Sequence, residues 1–197
     1  MKIITISGLD GSGKSTQAEL LKVYLENQGK RIFYFHAGNF SIANKILGTK
    51  KDSSGKEVSV SKASWLKIFL RKIALCIDLW RFNLLRNKLR NTGFDYILSD
   101  RFFYDSIINI CYLENLNIKN CKLIENWKLK IENLVSIYLS TAPEKIMQRD
   151  RVPDQGLEYL QKKKELYDIA TKKWNFKIIN GNEDKEAVFQ KIKALLI

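Results

Sequence analysis

Residues 2–16 read KIITISGLDGSGKST, and this stretch decides the fold of the chain. A short run of apolar and β-branched residues leads into the pattern G-x-x-x-x-G-K-S, and a helical pattern follows. This order of strand, loop and helix is the one that a phosphate-binding P-loop requires. The glycines let successive backbone N–H groups point inward, and the following helix adds the positive end of its dipole. The sequence therefore predicts a nucleotide-binding site at this loop.

The residues of the loop have separate expected roles in binding ATP. Lys14 can reach the terminal phosphates and is predicted to be catalytic, and the Ser15 hydroxyl can ligate the accompanying Mg²⁺. The loop residues that we predict to bind ATP are Gly8, Asp10, Gly11, Ser12, Gly13, Lys14, Ser15 and Thr16.

Length and composition predict one cytoplasmic domain that spans residues 1–197. The chain has 45% hydrophobic residues, which is enough for one buried core. The apolar run at residues 3–6 is too short for a signal peptide. Charged residues interrupt the densest apolar stretch, Trp65–Leu85, so we expect no membrane span.

The chain is strongly basic, with 34 Lys and Arg against 21 Asp and Glu and a formal net charge of +13. Such a charge attracts anions and suits nucleotides as well as nucleic acid. The tract Lys162-Lys163-Lys164 has the pattern of a solvated helix face. Because interleaved aromatic and basic recognition motifs are lacking, we do not expect nucleic acid as a partner.

Predicted strands and helices alternate along the chain. Besides the strand before Gly8, strands are predicted at 31–36, 94–99, 134–139 and 176–179. Helices are predicted at 15–27, 41–47, 62–90, 105–114, 119–130, from Pro143 onward, at 157–173 and at 184–196. This alternation predicts an α/β fold of the P-loop NTPase type, with a five-stranded parallel sheet between two layers of helices.

The long helix at 62–90 carries an unusually wide apolar face. Its apolar positions recur at helical spacing from Trp65 to Leu84. This face exceeds what one sheet needs, so it is predicted either to form a homodimer or to be fully buried within the monomer.

A second group of functional residues is expected where the third strand ends, at Asp100-Arg101. Ligands of an open parallel sheet lie beyond the carboxyl ends of its strands. Asp100 is placed like a Walker-B carboxylate and is predicted to help hold Mg²⁺. Arg101 suits the phosphate of a second substrate, because a guanidinium can grip phosphate through two hydrogen bonds. The alternative is a local ion pair that caps the strand.

Four segments together resemble the thymidylate kinase family, nearly end to end. They are GLDGSGKSTQ at 8–17, ILSDRF at 97–102, the Pro-started helix leading to Arg149 and Arg151, and IINGNEDKEAV before the last helix. The resemblance implies phosphoryl transfer from ATP to dTMP.

The resemblance also implies roles for individual residues. On the acceptor side, Asp10 would contact the deoxyribose 3′-hydroxyl and the magnesium shell, and Arg101 would bind the acceptor phosphate. Arg81 would face the base, and Ser106 would line the acceptor site. On the donor side, the resemblance implies a lid at about 149–156 with catalytic Arg149 and Arg151, and an adenine-side turn at Asn182.

The sequence departs from the family pattern on the acceptor side. The second strand leads into His36-Ala-Gly38-Asn39-Phe40 instead of a segment like R-E-P-G-G-T, Phe102 replaces a tyrosine, and Asn109 replaces an aromatic residue. One alternative is a deoxynucleoside kinase, although residues 35–47 contain no carboxylate that could act as general base. Another is a P-loop module that binds nucleotide or nucleic acid without phosphoryl transfer.

Overall fold

The computed structural model describes residues 1–46, 64–114, 131–149 and 152–196. The predicted helix at 119–130 lies outside the described residues. Residues 150–151 of the predicted lid, which include Arg151, also lie outside them.

Five parallel strands form one sheet, as the alternation of elements predicts. Their order across the sheet is β2-β3-β1-β4-β5. The strands are β1 (Lys2–Gly8), β2 (Ile32–Phe35), β3 (Tyr96–Asp100), β4 (Leu134–Ser140) and β5 (Lys177–Asn180).

Helices connect the strands. The helices in the described ranges are α1 (Lys14–Asn27), α2 (Ala37–Phe40), α3 (Ile42–Ile46), α4 (Trp65–Asn91), α5 (Phe103–Leu113), α6 (Pro143–Ile146), α7 (Gly156–Trp174) and α8 (Lys185–Ala194).

Two hydrophobic clusters cover the two faces of the sheet. Successive side chains of a strand point to opposite faces, so Ile3 joins one cluster while Ile4 and Ile6 join the other. α1 and α8 pack with Ile4 and Ile6, and α4, α5 and α7 contribute to the cluster around Ile3. This arrangement confirms the predicted three layers of helix, sheet and helix.

Two local elements differ from the sequence prediction. The helix that begins at Pro143 ends after one turn at Ile146. A short helix that was not predicted, α2, directly follows β2. His36 caps this helix: its Nδ1 accepts a hydrogen bond from the Asn39 amide at 3.3 Å. Helices of four residues are too short for periodicity to reveal.

The parallel strands bring the two predicted groups of functional residues to one edge of the sheet. β1 lies beside β3, with Ile6 opposite Asp100. β3 ends at Asp100, and β1 ends two residues beyond Ile6, at Gly8. The P-loop follows β1 and Arg101 follows β3, so the carboxyl edge of the sheet carries both. Of the described helices, none is long and apolar enough to cross a membrane.

Candidate active site

A cavity of about 1100 Å³ opens at the carboxyl edge of the sheet. Its walls come from the P-loop, the segment after β2, α4, the start of α5 and α7. Arg101 and Ser106 line it from the β3 side, and Lys14 and Ser15 line it from the loop. The cavity therefore collects side chains that are far apart in the sequence.

Three glycines of the P-loop, Gly8, Gly11 and Gly13, have a positive φ, and Gly8 and Gly13 illustrate why glycine is required. Gly8 has a φ of +153°, and a Cβ there would lie 2.7 Å from the Leu139 carbonyl oxygen. Gly13 has a φ of +98° directly before α1 begins. Side chains at either position would strain the backbone, so these glycines allow the loop to turn into the helix.

Lys14 is buried beneath the loop, with 4% of its surface exposed. Its ammonium donates hydrogen bonds to the Leu9 carbonyl oxygen and, at 3.5 Å, to Ser12 Oγ. Burial, with a further contribution from the nearby charge of Arg101, lowers the pKa of Lys14 to about 8. A bound phosphate would favour the charged form and raise this pKa.

Arg101 is held in a strained backbone conformation at the cavity wall. Its φ is +66°, a region that residues other than glycine rarely occupy. Its amide donates to the Ile6 carbonyl at 3.2 Å, and its carbonyl accepts from Ser99 Oγ at 2.7 Å and from the Ala37 amide at 3.2 Å. These bonds fix a conformation that costs about 1 kcal/mol or more, and such strain is concentrated at functional sites.

Asp10 joins the two predicted groups. Its Oδ1 accepts a hydrogen bond from Arg101 Nη2 at 2.5 Å, and its Oδ2 accepts one from the Tyr159 hydroxyl at 3.1 Å. Burial raises the pKa of Asp10, but the charges of Lys163, Arg101 and Lys14 outweigh burial and hold this pKa well below its usual value. Asp10 is therefore an anion that orients Arg101 toward the loop.

Asp105 fixes the beginning of α5 against two other elements. Its Oδ1 accepts from the Tyr167 hydroxyl at 2.6 Å. Its Oδ2 accepts from Ser7 Oγ at 2.7 Å and from the Phe102 amide at 2.8 Å. This carboxylate thereby links β1, α5 and α7 and positions the next residue, Ser106, on the cavity wall.

Arg149 reaches the P-loop from the segment after α6. Its Nη1 donates to the Gly11 carbonyl at 2.5 Å and its Nη2 donates to the Gly181 carbonyl at 3.3 Å. A second cation thus lies next to the predicted phosphate-binding backbone.

Asp100 and Ser15 fit the requirements of a magnesium ion that accompanies the nucleotide. Asp100 is 4% exposed, and within the described part of the chain its buried Oδ1 has no hydrogen-bond partner. Leaving a buried carboxylate oxygen unpartnered is costly, and carboxylate and hydroxyl oxygens are ligands that Mg²⁺ accepts. Ser15 is exposed on the cavity wall.

Four predicted site residues in the described part of the chain do not line the cavity: Ser12, Arg81, Asp100 and Asn182. Ser12 and Asp100 are buried behind it. The Arg81 guanidinium bonds Asp78 Oδ1 at 2.7 Å and lies 4.3 Å from the centre of the Phe40 ring, away from the cavity lining. The Asn182 side chain accepts from the Ala142 amide at 2.9 Å and holds a turn beside the cavity.

Arg71, and not Arg81, lines the cavity from α4. Its Nη1 lies 3.5 Å from Asn44 Oδ1, and in the described residues its buried Nε has no hydrogen-bond partner. Ten residues along a helix rotate the side chain by about 80° from its starting direction, so Arg71 and Arg81 point to different surroundings.

Several residues of the cavity wall carry no sequence motif. Tyr159, Lys163 and Tyr167 follow each other at intervals of one helical turn on α7 and all line the cavity. The prediction that the 162–164 lysine tract is solvated is wrong for Lys163, which is only 8% exposed. Tyr159 and Tyr167 lie four residues before and after Lys163, and this spacing could have indicated that Lys163 shares their buried face of α7.

Comparison of the sequence with known proteins shows which family the chain matches. The sequence profile of the thymidylate kinase family matches residues 6–192. Thymidylate kinase of Thermosipho melanesiensis is 28% identical over 98% of this chain and 96% of its own length. That of Prochlorococcus marinus is 26% identical over 100% of this chain and 95% of its own.

Solved structures share the fold. Thymidylate kinase of Candida albicans has a TM-score of 0.69 at 19% identity and covers 99% of this chain and 90% of its own. Deoxyadenosine kinase of M. mycoides has a TM-score of 0.61 at 18% identity, and the match covers 100% of this chain and 99% of that kinase. The profile spans nearly the whole chain, including the P-loop and Arg101, and the chain therefore belongs to the thymidylate kinase family.

Proposed function

We propose that this protein transfers the γ-phosphoryl group of ATP to dTMP. The observation that carries the proposal is the pairing of Arg101 with Asp10, which holds a guanidinium on the wall of the cavity that the P-loop also lines. One anion-binding group thereby faces the donor and a second one faces the acceptor. Family membership identifies the two substrates as ATP and dTMP.

The residues of the chain would promote transfer by alignment and charge neutralisation. The loop amides, Lys14 and Arg149 hold the donor phosphates, and Arg101 holds the phosphate of dTMP. Positioning and electrostatic stabilisation supply most of the catalysis in phosphoryl transfer. No general base is needed, because the acceptor phosphate is already ionised at neutral pH.

Mg²⁺ with ATP is the cofactor of this proposal. When bound, the ion neutralises charge on the phosphate oxygens of the nucleotide. Ser15 and Asp100 would hold it, directly or through water, and the unpartnered Oδ1 of Asp100 supports this assignment.

An acceptor series tests the proposal against both alternatives. With Mg²⁺ and ATP, we expect dTMP to yield dTDP and an equal amount of ADP. We expect thymidine to react at least a thousandfold less efficiently, because it has no phosphate for Arg101. Chromatography of the products measures both reactions.

Two results would contradict the proposal. Faster phosphorylation of thymidine than of dTMP would favour a deoxynucleoside kinase. Salt-sensitive binding of DNA or RNA, with no ADP release that depends on an acceptor, would favour a nucleic-acid-binding module. The segment after β2 opposes the first result, since residues 35–47 contain no carboxylate that could act as a base.

We propose that the enzyme is a homodimer joined through α4. Large apolar side chains form an exposed stripe along this helix, among them Phe69 at 52% and Trp80 at 63% exposure. An apolar stripe this long is typical of a protein interface.

We also propose that the protein is located in the cytoplasm, and cell fractionation would test this location.

Sedimentation measures the dimer. We expect the wild-type protein to have twice the 22.9 kDa mass of the chain, and Phe69→Asp with Trp80→Asp to be monomeric. A buried charge on each side of the interface would be unpaired and costly. Val23→Asp, at an apolar residue of α1 that is 46% exposed, is the control and should leave the dimer intact. A monomeric wild-type protein at micromolar concentration would contradict the proposal.

A further inference from the structure

Lys163 is a buried cation that the proposed mechanism leaves without a role. It lies on α7, lines the cavity and is 8% exposed. Burial lowers the pKa of its ammonium, and the charge of Arg101 adds to this effect, while Asp10 opposes it. An ammonium in such a place destabilises the free protein unless an anion compensates it.

Within the described residues, no anion is paired with Lys163. Its ammonium makes a contact with the Tyr159 ring, 4.7 Å from the ring centre, but forms neither a hydrogen bond nor an ion pair there. The two carboxylates that interact electrostatically with Lys163 already accept hydrogen bonds from other groups. Asp10 is bonded to Arg101 and Tyr159, and Asp105 accepts three hydrogen bonds of its own.

Helix α7 places Lys163 beside the position where Arg101 would hold a phosphate. Tyr159, one turn earlier, reaches Asp10 of the P-loop, and Tyr167, one turn later, reaches Asp105 of α5. A helical turn advances about 5.4 Å, so Lys163 faces the cavity between these two carboxylates. Arg101 interacts electrostatically with both carboxylates and forms an ion pair with Asp10.

We propose that Lys163 binds the phosphate of the acceptor together with Arg101. This inference rests on the proposed function, because it assigns the anion to a nucleoside monophosphate. The phosphate would add a second counter-charge beside Asp10, which Lys163 shares with Arg101 and Lys14. Two cations on different elements would also fix the orientation of the acceptor. Lys163 thereby contributes to the choice of a phosphorylated acceptor over a nucleoside.

The test compares binding of dTMP and of thymidine by titration calorimetry. The proteins are the wild type, Lys163→Met, Lys163→Arg and the control Lys162→Met, whose ammonium is exposed and paired with Glu158. We expect Lys163→Met to weaken dTMP binding ten- to a hundredfold and thymidine binding less than twofold. Lys163→Arg should keep most of the preference for dTMP, and Lys162→Met all of it.

The outcomes separate this inference from the proposed function. Equal weakening of dTMP and thymidine by Lys163→Met would mean a structural role and overturn the inference, while the wild-type activity would stand. A wild-type protein that binds thymidine as tightly as dTMP would overturn the proposed function and this inference with it.

Thermal unfolding of the same variants adds a second readout. We expect Lys163→Met to be at least as stable as the wild type, because burial disfavours the ammonium by more than Asp10 compensates. A markedly lower Tm would count against the inference.

Discussion

Replacing Arg101 by asparagine is expected to lower kcat/KM for dTMP about a thousandfold, which corresponds to about 4 kcal/mol. The change removes the guanidinium that faces the donor loop and leaves Asp10 without its ion-pair partner. Asparagine is chosen because it tolerates the left-handed backbone of residue 101, where φ is +66°. The loss therefore reports the missing cation and not backbone strain.

A matched arginine provides the control. Arg31 lies at the start of β2, at the opposite edge of the sheet, and donates a hydrogen bond to the Thr92 carbonyl at 2.7 Å. Arg31→Asn should retain kcat/KM within twofold. An Arg101→Asn enzyme that keeps more than a tenth of the wild-type kcat/KM would show that Arg101 does not hold the acceptor.

Replacing Lys14 by methionine is expected to lower kcat about a thousandfold, again about 4 kcal/mol. Methionine fills a similar volume in the buried site but cannot neutralise the charge that develops on the transferred group. Single-turnover measurements with saturating ATP separate this loss from weaker nucleotide binding. If the variant turned over at the wild-type rate, the P-loop lysine would have no catalytic role in this protein.

The pH dependence of ATP binding provides an independent check on Lys14. The free protein holds the pKa of Lys14 at about 8, and bound phosphates raise it because they favour the charged form. Binding above pH 8 therefore requires uptake of a proton, and we expect the Kd for ATP to rise up to about tenfold per pH unit there. Lys14→Arg stays protonated and should show no such rise, whereas a flat wild-type profile would contradict the shifted pKa.

Local sequence was sufficient to predict the P-loop and its backbone geometry. The P-loop is continuous in sequence, and its glycines are required by backbone angles and close contacts within a few residues or with a neighbouring strand. The alternation of strand and helix patterns predicted the five-stranded sheet, and the sheet brings Asp100 and Arg101 to the loop by topology alone.

The acceptor side could not be predicted in the same way. Arg81 was expected there, but the Phe40 ring and Asp78 hold it outside the cavity, and Arg71 takes a place on the wall. Hydrophobic periodicity predicts which face of a helix is apolar. It does not predict how the helix is rotated about its axis or how close its polar side chains come to a cavity. Packing of the aromatic residues against α4 decides both.

By itself, the sequence determined the P-loop, the parallel sheet and the edge at which the substrates meet, because each depends on local pattern and strand order. Only the tertiary structure decided that Arg71 and Lys163 line the cavity and that Arg81 does not. Lys163 lies between lysines of the same tract and differs from them only in its direction on α7. That direction is fixed by the hydrogen bonds of Tyr159 and Tyr167 to carboxylates from distant parts of the chain, which no local pattern encodes.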